Sequence, residues 1–427
     1  MGRGRCVEAP RLSLRGTRAQ RFAACSLLLG LSAGILPAPR AVGQPPSRTF
    51  SDHLRESPQL VGDPGGVRSQ LDRLGISLQL FYNQSLGWKP RGGVRHGSTT
   101  GHNASYDFFL RADLEELVSW PGLDFLLHVR GQYDDNINAD VGAASDPIDD
   151  ADFDEPVYVD EMWLEQAILQ DRVRLRAGFL EQQTVFDRNA FANSEDRQFM
   201  SAFLDNDPLV PLPNGVGAVL LLEPADWLEV AAGVLDGDND PRSAGFDTAF
   251  DRIDSVTGHF EVLARLRLPD GERGLPGHYR IGAFIDGRRK LGDRGHWGGY
   301  ASFDQLVYRE RPDAEEGLGL FARFGVADPE VNPIAWFWSA GLQYRGPIPG
   351  RGDDVLGLGS YQALGSGRYR GDPEADFDQE TGIECYYRVA VFPWLAVTPD
   401  LQYVVDPGGS KSTRDAVIAV LRFRVGF

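Results

Sequence analysis

Tyr158 to Glu181 reads YVDEMWLEQAILQDRVRLRAGFLE. Two alternating runs meet at Gln170-Asp171. With those two residues as the turn, position 169 faces 172, 165 faces 176 and 162 faces 179. One face of the ribbon then carries Met162, Leu164, Ile168, Val173, Leu175, Ala177 and Phe179. The other carries Glu161, Trp163, Glu165, Arg172, Arg174 and Arg176. Side chains of a strand point alternately to opposite faces, so a slip of one residue would scramble this sorting. A soluble sandwich can be built from such a ribbon. So can a membrane barrel with lipid outside and water inside.

The same pattern extends outward from the hairpin. Ile76, Leu78, Leu80 and Tyr82 alternate with polar residues, as do Ala104 to Ala112 and Leu123 to Tyr133. Later runs centre on 217–223, 227–235, 255–268, 277–286, 297–309, 318–325, 336–345, 355–361, 381–390, 395–404 and 415–427. That makes sixteen strands, each near the roughly 9–11 residues a tilted membrane strand needs. Connections alternate in length. The long ones are 87–103, 135–156, 180–216, 236–254, 287–296, 326–335, 362–380 and 405–414; the short ones include Gln170-Asp171 and Pro224-Ala225-Asp226. Long loops on one side and short turns on the other are the asymmetry of an outer-membrane barrel. The expected fold is therefore an all-β, sixteen-stranded antiparallel transmembrane barrel spanning 76–427.

Both ends agree. Six arginines between Arg3 and Arg21 precede the apolar stretch Phe22 to Leu36, and Ala41-Val42-Gly43 offers small residues, so 1–43 reads as a secretory signal peptide. Residues 44–75 read as a periplasmic segment with a short helix, Asp63 capping it, Pro64 opening it and Gly75 lying past its end. At the other end Val417, Ala419, Leu421, Phe423, Val425 and Phe427 share a face, with Arg422 and Arg424 opposite. A net charge of −18 for the whole chain argues against nucleic acid. Of three cysteines, Cys6 and Cys25 lie in the signal, so Cys385 has no disulfide partner.

Several stretches resemble the carbohydrate-selective porin family of the OprB type. They are YRGPIPGRGDDVLGLG at Tyr344 to Gly359, PDLQYVVDPGG at Pro399 to Gly409, LPGHYRIG at Leu275 to Gly282, WLEQ at Trp163 to Gln166 and LRAG at Leu175 to Gly178. LVGDPGGVRSQL at Leu60 to Leu71 is similar to the family's N-terminal block, with Pro64 where the family usually has Trp. The resemblance implies a sixteen-stranded barrel in the outer membrane and passive sugar uptake. It adds carbohydrates, membrane lipid and the barrel-insertion machinery, read through the terminal Phe427, as partners. A homotrimer is common among porins, and no interface is legible here.

A pore needs a narrow point and groups that match its solute. Loop 180–216 is the longest gap and holds Phe186, Phe191, Phe199 and Phe203 with Arg197 among polar residues. Such aromatics are costly in solvent, so the loop is expected to fold into the barrel and constrict it. The inner face of the hairpin supplies hydrogen-bonding groups for hydroxyls in Glu161, Glu165, Arg172, Arg174 and Arg176, and a flat apolar surface in Trp163. Glu165 and Arg176 could equally neutralise each other. Asp107, Arg111, His128 and Arg130 are further candidates on neighbouring strands. No catalytic constellation and no cofactor motif stand out. Acidic runs in 135–156 and 236–254 could bind Ca²⁺, though solvated external loops are the simpler expectation. The alternatives are an anion-preferring porin, disfavoured by an acidic chain with only three lysines outside the signal, a general diffusion porin, and a barrel enzyme.

Overall fold

The computed structural model describes residues 57–151, 154–211, 214–237, 256–269, 274–288, 295–311, 315–369 and 377–427. Residues 1–43, read above as a signal peptide, and the acidic stretch at 238–254 lie outside them. Sixteen strands follow in order: β1 (Ile76–Gly93), β2 (Thr99–Asp113), β3 (Leu123–Asp135), β4 (Glu155–Ile168), β5 (Val173–Leu180), β6 (Gly215–Ala225), β7 (Leu228–Asp236), β8 (Val256–Leu268), β9 (Leu275–Asp286), β10 (His296–Arg309), β11 (Gly317–Ala327), β12 (Ile334–Arg345), β13 (Val355–Gly365), β14 (Gln379–Phe392), β15 (Leu395–Val405) and β16 (Arg414–Gly426). Each pairs antiparallel with its sequence neighbours, and β1 pairs with β16, so the sheet closes. Closure leaves no open edge, which is what a sheet surrounded by lipid requires.

The opening hairpin has the expected register. Glu165 lies opposite Arg176 and Met162 opposite Phe179. Gln170 and Asp171 both take positive φ, 58° and 68°, the geometry that matches a two-residue turn to strand twist. Leu164, Ile168 and Leu175 are exposed on the outer wall. Phe179 departs from that set and is fully buried; the strand leaves regular extended backbone just before it, at Gly178 (φ 143°). Around the barrel, exposed Trp88, Tyr133, Trp297 and Trp336 sit toward the long-loop end, and Trp120, Trp227 and Tyr308 toward the turn end. These two girdles mark the edges of an apolar band, where amphipathic rings meet lipid headgroups.

Strands run from 8 to 18 residues, longer than the span alone demands. The excess is clearest in the stretch 87–103, which reads as a long loop. There β1 and β2 continue to a short tip. Lys89 makes this possible: its buried ammonium donates to the carbonyls of Gly92, Arg95 and Gly97 at 2.8–2.9 Å, satisfying a tip that would otherwise splay.

At the N-terminal side, helix α1 (Val67–Arg73) follows a single 3₁₀ turn at Pro64–Gly66. Asp63 caps it from further back than expected, accepting from the Arg68 amide at 2.8 Å. Leu60 N donates to Gly426 O at 2.8 Å and an Arg68 guanidinium nitrogen to Phe427 O at 3.2 Å, so this segment holds the seam beside β16.

The apolar core lies inside the barrel. The loop from 181 to 214, here the inner loop, places Phe186, Phe199, Phe203 and Leu204 against lumen-facing residues of many strands. Phe199 meets Phe321 and Tyr386 at ring-centroid distances of 5.5 and 5.1 Å; Phe203 meets Phe337 and Tyr361 at 5.6 and 5.3 Å. Each such ring contributes about 1.5–3 kcal/mol by leaving water. A strand glycine makes room for a fourth: a Cβ on Gly319 would lie 2.1 Å from Phe191.

The stretch 136–151 corrects the expectation of a solvated external loop. Ile137, Val141 and Ile148 are buried against Met200 of the inner loop and Val404, Ala416, Ile418 and Val420 of the wall. Glu380 of β14 accepts from the amides of Ala144 and Ser145 at 2.7 and 3.0 Å. Three apolar residues too sparse to predict a fold become a second inner loop once the wall supplies their partners.

Candidate functional site

The inner loop is tied to the wall on all sides. Asp187 N donates to Glu261 of β8 at 2.9 Å, and Asn189 donates to the Phe303 carbonyl of β10 at 3.1 Å. Gln198 bonds Gln343 of β12 at 3.0 Å, and Glu384 of β14 accepts from the Met200 and Ser201 amides at 2.6 and 3.0 Å. Arg422 and Arg424 of β16 hold Gln198 O at 3.0 Å and Asp196 at 2.5 Å. One segment reaches strands on opposite sides only by crossing the lumen.

Arg323 of β11 is its main anchor. Fully buried, it pairs with Asp187 at 3.2 Å and donates to Leu204 O, Asn193 Oδ1 and Ala192 O. Burial raises the carboxyl of Asp207 to about 8, with repulsion from Asp187 adding to it. Asp207 Oδ1 accepts from Leu209 N at 2.9 Å, and its backbone N–H donates to Asp187 Oδ2 at 3.1 Å. Between about pH 4 and 8 the folded loop keeps a proton on Asp207 that the unfolded chain releases. Stability from this group is therefore complete below about pH 4 and lost as pH rises toward 8. Amide exchange across 189–206 is expected to quicken from pH 5 to 8.5, beyond its intrinsic pH dependence, and to do so less in Asp207→Asn; one pKa unit corresponds to about tenfold in local opening. Equal acceleration in both would contradict this linkage.

The charged wall of the hairpin forms a network. Arg176 pairs with Glu165 at 2.9 Å, and Arg174 reaches Glu223 and Glu229 at 3.2 and 3.1 Å. Arg265 adds contacts to the same two glutamates, and Arg188 of the inner loop meets Glu229 at 3.0 Å. Glu165, Arg174 and Arg176 keep 12–14% of their side-chain surface exposed. Arg172 sits at the turn, paired with Asp226 at 2.7 Å. Trp163 is buried, with the Arg176 guanidinium 4.0 Å over its ring and its Nε1 donating to Glu161 at 2.9 Å.

A second group lies beneath the loops. His128 Nε2 bonds Asp107 at 3.0 Å, and Arg130 pairs with Glu195 at 3.0 Å and with Asp150. All five side chains and Glu161 are buried. Arg111 is half-buried near the turn end of β2, across from Leu126. Phe186 stacks on His259 at 5.1 Å, Phe191 is half-buried, and Arg197 lies 3.5 Å from Asp196 with its guanidinium 6.0 Å from the Phe81 ring. Asp149, from the acidic run of the second loop, groups with Glu195 and Asp205, their carboxylate oxygens within 4.8 Å of one another.

Reading the hairpin alone misses Arg188, Glu229, Arg265, Arg323 and Glu384. Four of these alternate inward on their strands, so the periodicity marks them as lumen-facing; nothing local says which partner each would find.

Comparison with known proteins fits this architecture. The family model for "Carbohydrate-selective porin, OprB family" matches residues 96–427. Porin B of Pseudomonas aeruginosa is 24% identical over 86% of this chain and 91% of that protein. The putative porin QuiX of Acinetobacter baylyi is 20% identical over 86% of this chain and 93% of its own length. The high-pH structure of Pseudomonas putida OprB superposes with a TM-score of 0.75 at 20% identity, covering 88% of this chain and all of that one. With a closed barrel, an inward loop and a family match over most of its length, the chain belongs to the carbohydrate-selective porin family, OprB, and is an outer-membrane sugar channel.

Proposed function

We propose that the inner loop sets the width of the sugar path, and that solute meets the wall at Arg174, Arg176 and Glu165, with Arg111 and Arg197 flanking the route. The observation that supports this assignment is differential burial. The hairpin network keeps part of its polar surface open to the lumen, whereas Asp107, His128, Arg130 and Glu161 are covered. Guanidinium and carboxylate groups held in a network present fixed donors and acceptors, and a sugar hydroxyl serves as both. Their opposite charges offset each other, so a neutral solute is matched without a strong single-sign field. Glu161, Trp163, His128 and Arg130 then support the wall and do not touch solute.

Sugar-dependent block of single-channel current tests this. The double variant Arg174→Gln/Arg176→Gln should keep an open channel and weaken block by glucose or maltose roughly tenfold, in line with about 1.5–3 kcal/mol for charged hydrogen bonds reduced by solvent screening. Block indistinguishable from the parent protein would remove these residues from the path.

A further inference from the structure

Where β3 and β4 pair, His128 lies opposite Glu161 but Val129 lies opposite Val159. Asp160 is therefore an extra residue in β4. Such a bulge breaks alternation, and here two consecutive acids, Asp160 and Glu161, are both buried on the lumen side. Facing them is Glu181, the first residue of the inner loop. It too is buried, and among the described residues neither of its carboxylate oxygens accepts a hydrogen bond.

The imidazole is oriented toward this group. His128 Nε2 lies 3.0 Å from Asp107 Oδ1, and Phe109 stacks on the ring with centroids 4.0 Å apart. In the neutral imidazole with Nε2–H donating to Asp107, Nδ1 carries a lone pair. Nδ1 sits 3.3 Å from Asp160 Oδ2, and among the described residues neither atom makes a hydrogen bond. Two acceptors facing each other beside an unsatisfied buried carboxylate need a proton or a metal ion between them. The nearby arginines are engaged elsewhere: Arg176 with Glu165, Arg130 with Asp150 and Glu195.

We propose that His128, Glu161 and Glu181 bind a divalent transition-metal ion, Zn²⁺ in the first instance, which staples the root of the inner loop to β3 and β4. One ligand atom from each lies within 4.8 Å of the others. Zn–N and Zn–O bonds of about 2.0–2.2 Å place tetrahedral ligands about 3.4 Å apart, so small side-chain shifts close the set. Asp160 stands by as a fourth ligand. A nitrogen among carboxylates favours Zn²⁺ over Ca²⁺, which takes six to eight oxygens. The outer contacts match those of metal-bound histidine and glutamate: Asp107 orients the imidazole, Trp163 Nε1 donates to Glu161 at 2.9 Å, and Asn214 donates to Asp160 at 2.8 Å.

The test uses the untagged, folded, full-length protein in detergent, stripped with a chelator and titrated with Zn²⁺ alone. One saturable Zn²⁺ per chain is expected, with an X-ray absorption spectrum containing a single imidazole and a higher melting temperature in the loaded protein. Glu181→Gln should weaken binding at least a hundredfold, and Asp107→Asn about ten- to a hundredfold. Both variants should retain the heat-modifiable mobility of a closed barrel, which separates loss of the site from loss of the fold. Absence of saturable binding, or unchanged binding in Glu181→Gln, overturns the assignment. A protonated His128 bridging Asp107 and Asp160 then explains the geometry.

Discussion

Removing Asn189 to Asn206 from the inner loop is expected to raise single-channel conductance several-fold. The segment carries Phe191, Phe199 and Phe203 into the lumen, where they fill space between opposite walls. The wall does not depend on it for closure, because β1 and β16 are hydrogen-bonded directly. Deletion gives up the burial of Phe199, Phe203 and Leu204, at about 1.5–3 kcal/mol each, and water takes their place. Ion flow follows the narrowest cross-section, so a wider lumen conducts more. Block by sugar should weaken in the same channels. Unchanged conductance would mean that the loop fills a part of the barrel that ions do not use.

The second large effect is expected at Arg323. Replacing it with Ala leaves Asp187 in a dry environment without its ion pair and also frees the carbonyls of Ala192 and Leu204. Breaking a buried pair from one side costs about 3–5 kcal/mol. Most of that cost falls on the loop, because the β11 ladder is untouched. Arg323→Ala should therefore keep a folded barrel but expose residues 189–206 to protease and give a flickering current. Arg323→Lys should rescue little, since one ammonium cannot reproduce the forked donors. A quiet, protease-resistant channel in Arg323→Ala would show that the aromatic contacts alone fix the loop.

Much of this architecture is legible in one dimension because barrel strands repeat with period two. The Glu165–Arg176 register follows from the turn position and from alternation alone. Four phenylalanines in one long loop likewise point inward, since only the lumen offers them partners. What escapes the sequence depends on distant residues. Lys89 turns a predicted loop into paired strand by capping carbonyls up to eight residues away. Ile137 and Ile148 find their contacts on Met200 and on strands at the far end of the chain. The β4 bulge left a local trace: Asp160 breaks the alternation next to Glu161, and the face assignment of the hairpin simply passes over it. Arg323 shows only as an inward-facing arginine, because its partners lie more than a hundred positions earlier.

A sugar path between the inner loop and the hairpin wall makes the current of the open channel depend on sugar. The most direct measurement is single-channel current of the parent protein in a planar bilayer, titrated with glucose and maltose. Discrete openings whose current falls saturably with sugar, and recovers when sugar is removed, are the predicted result. Openings indifferent to sugar, or no openings at all, would contradict it.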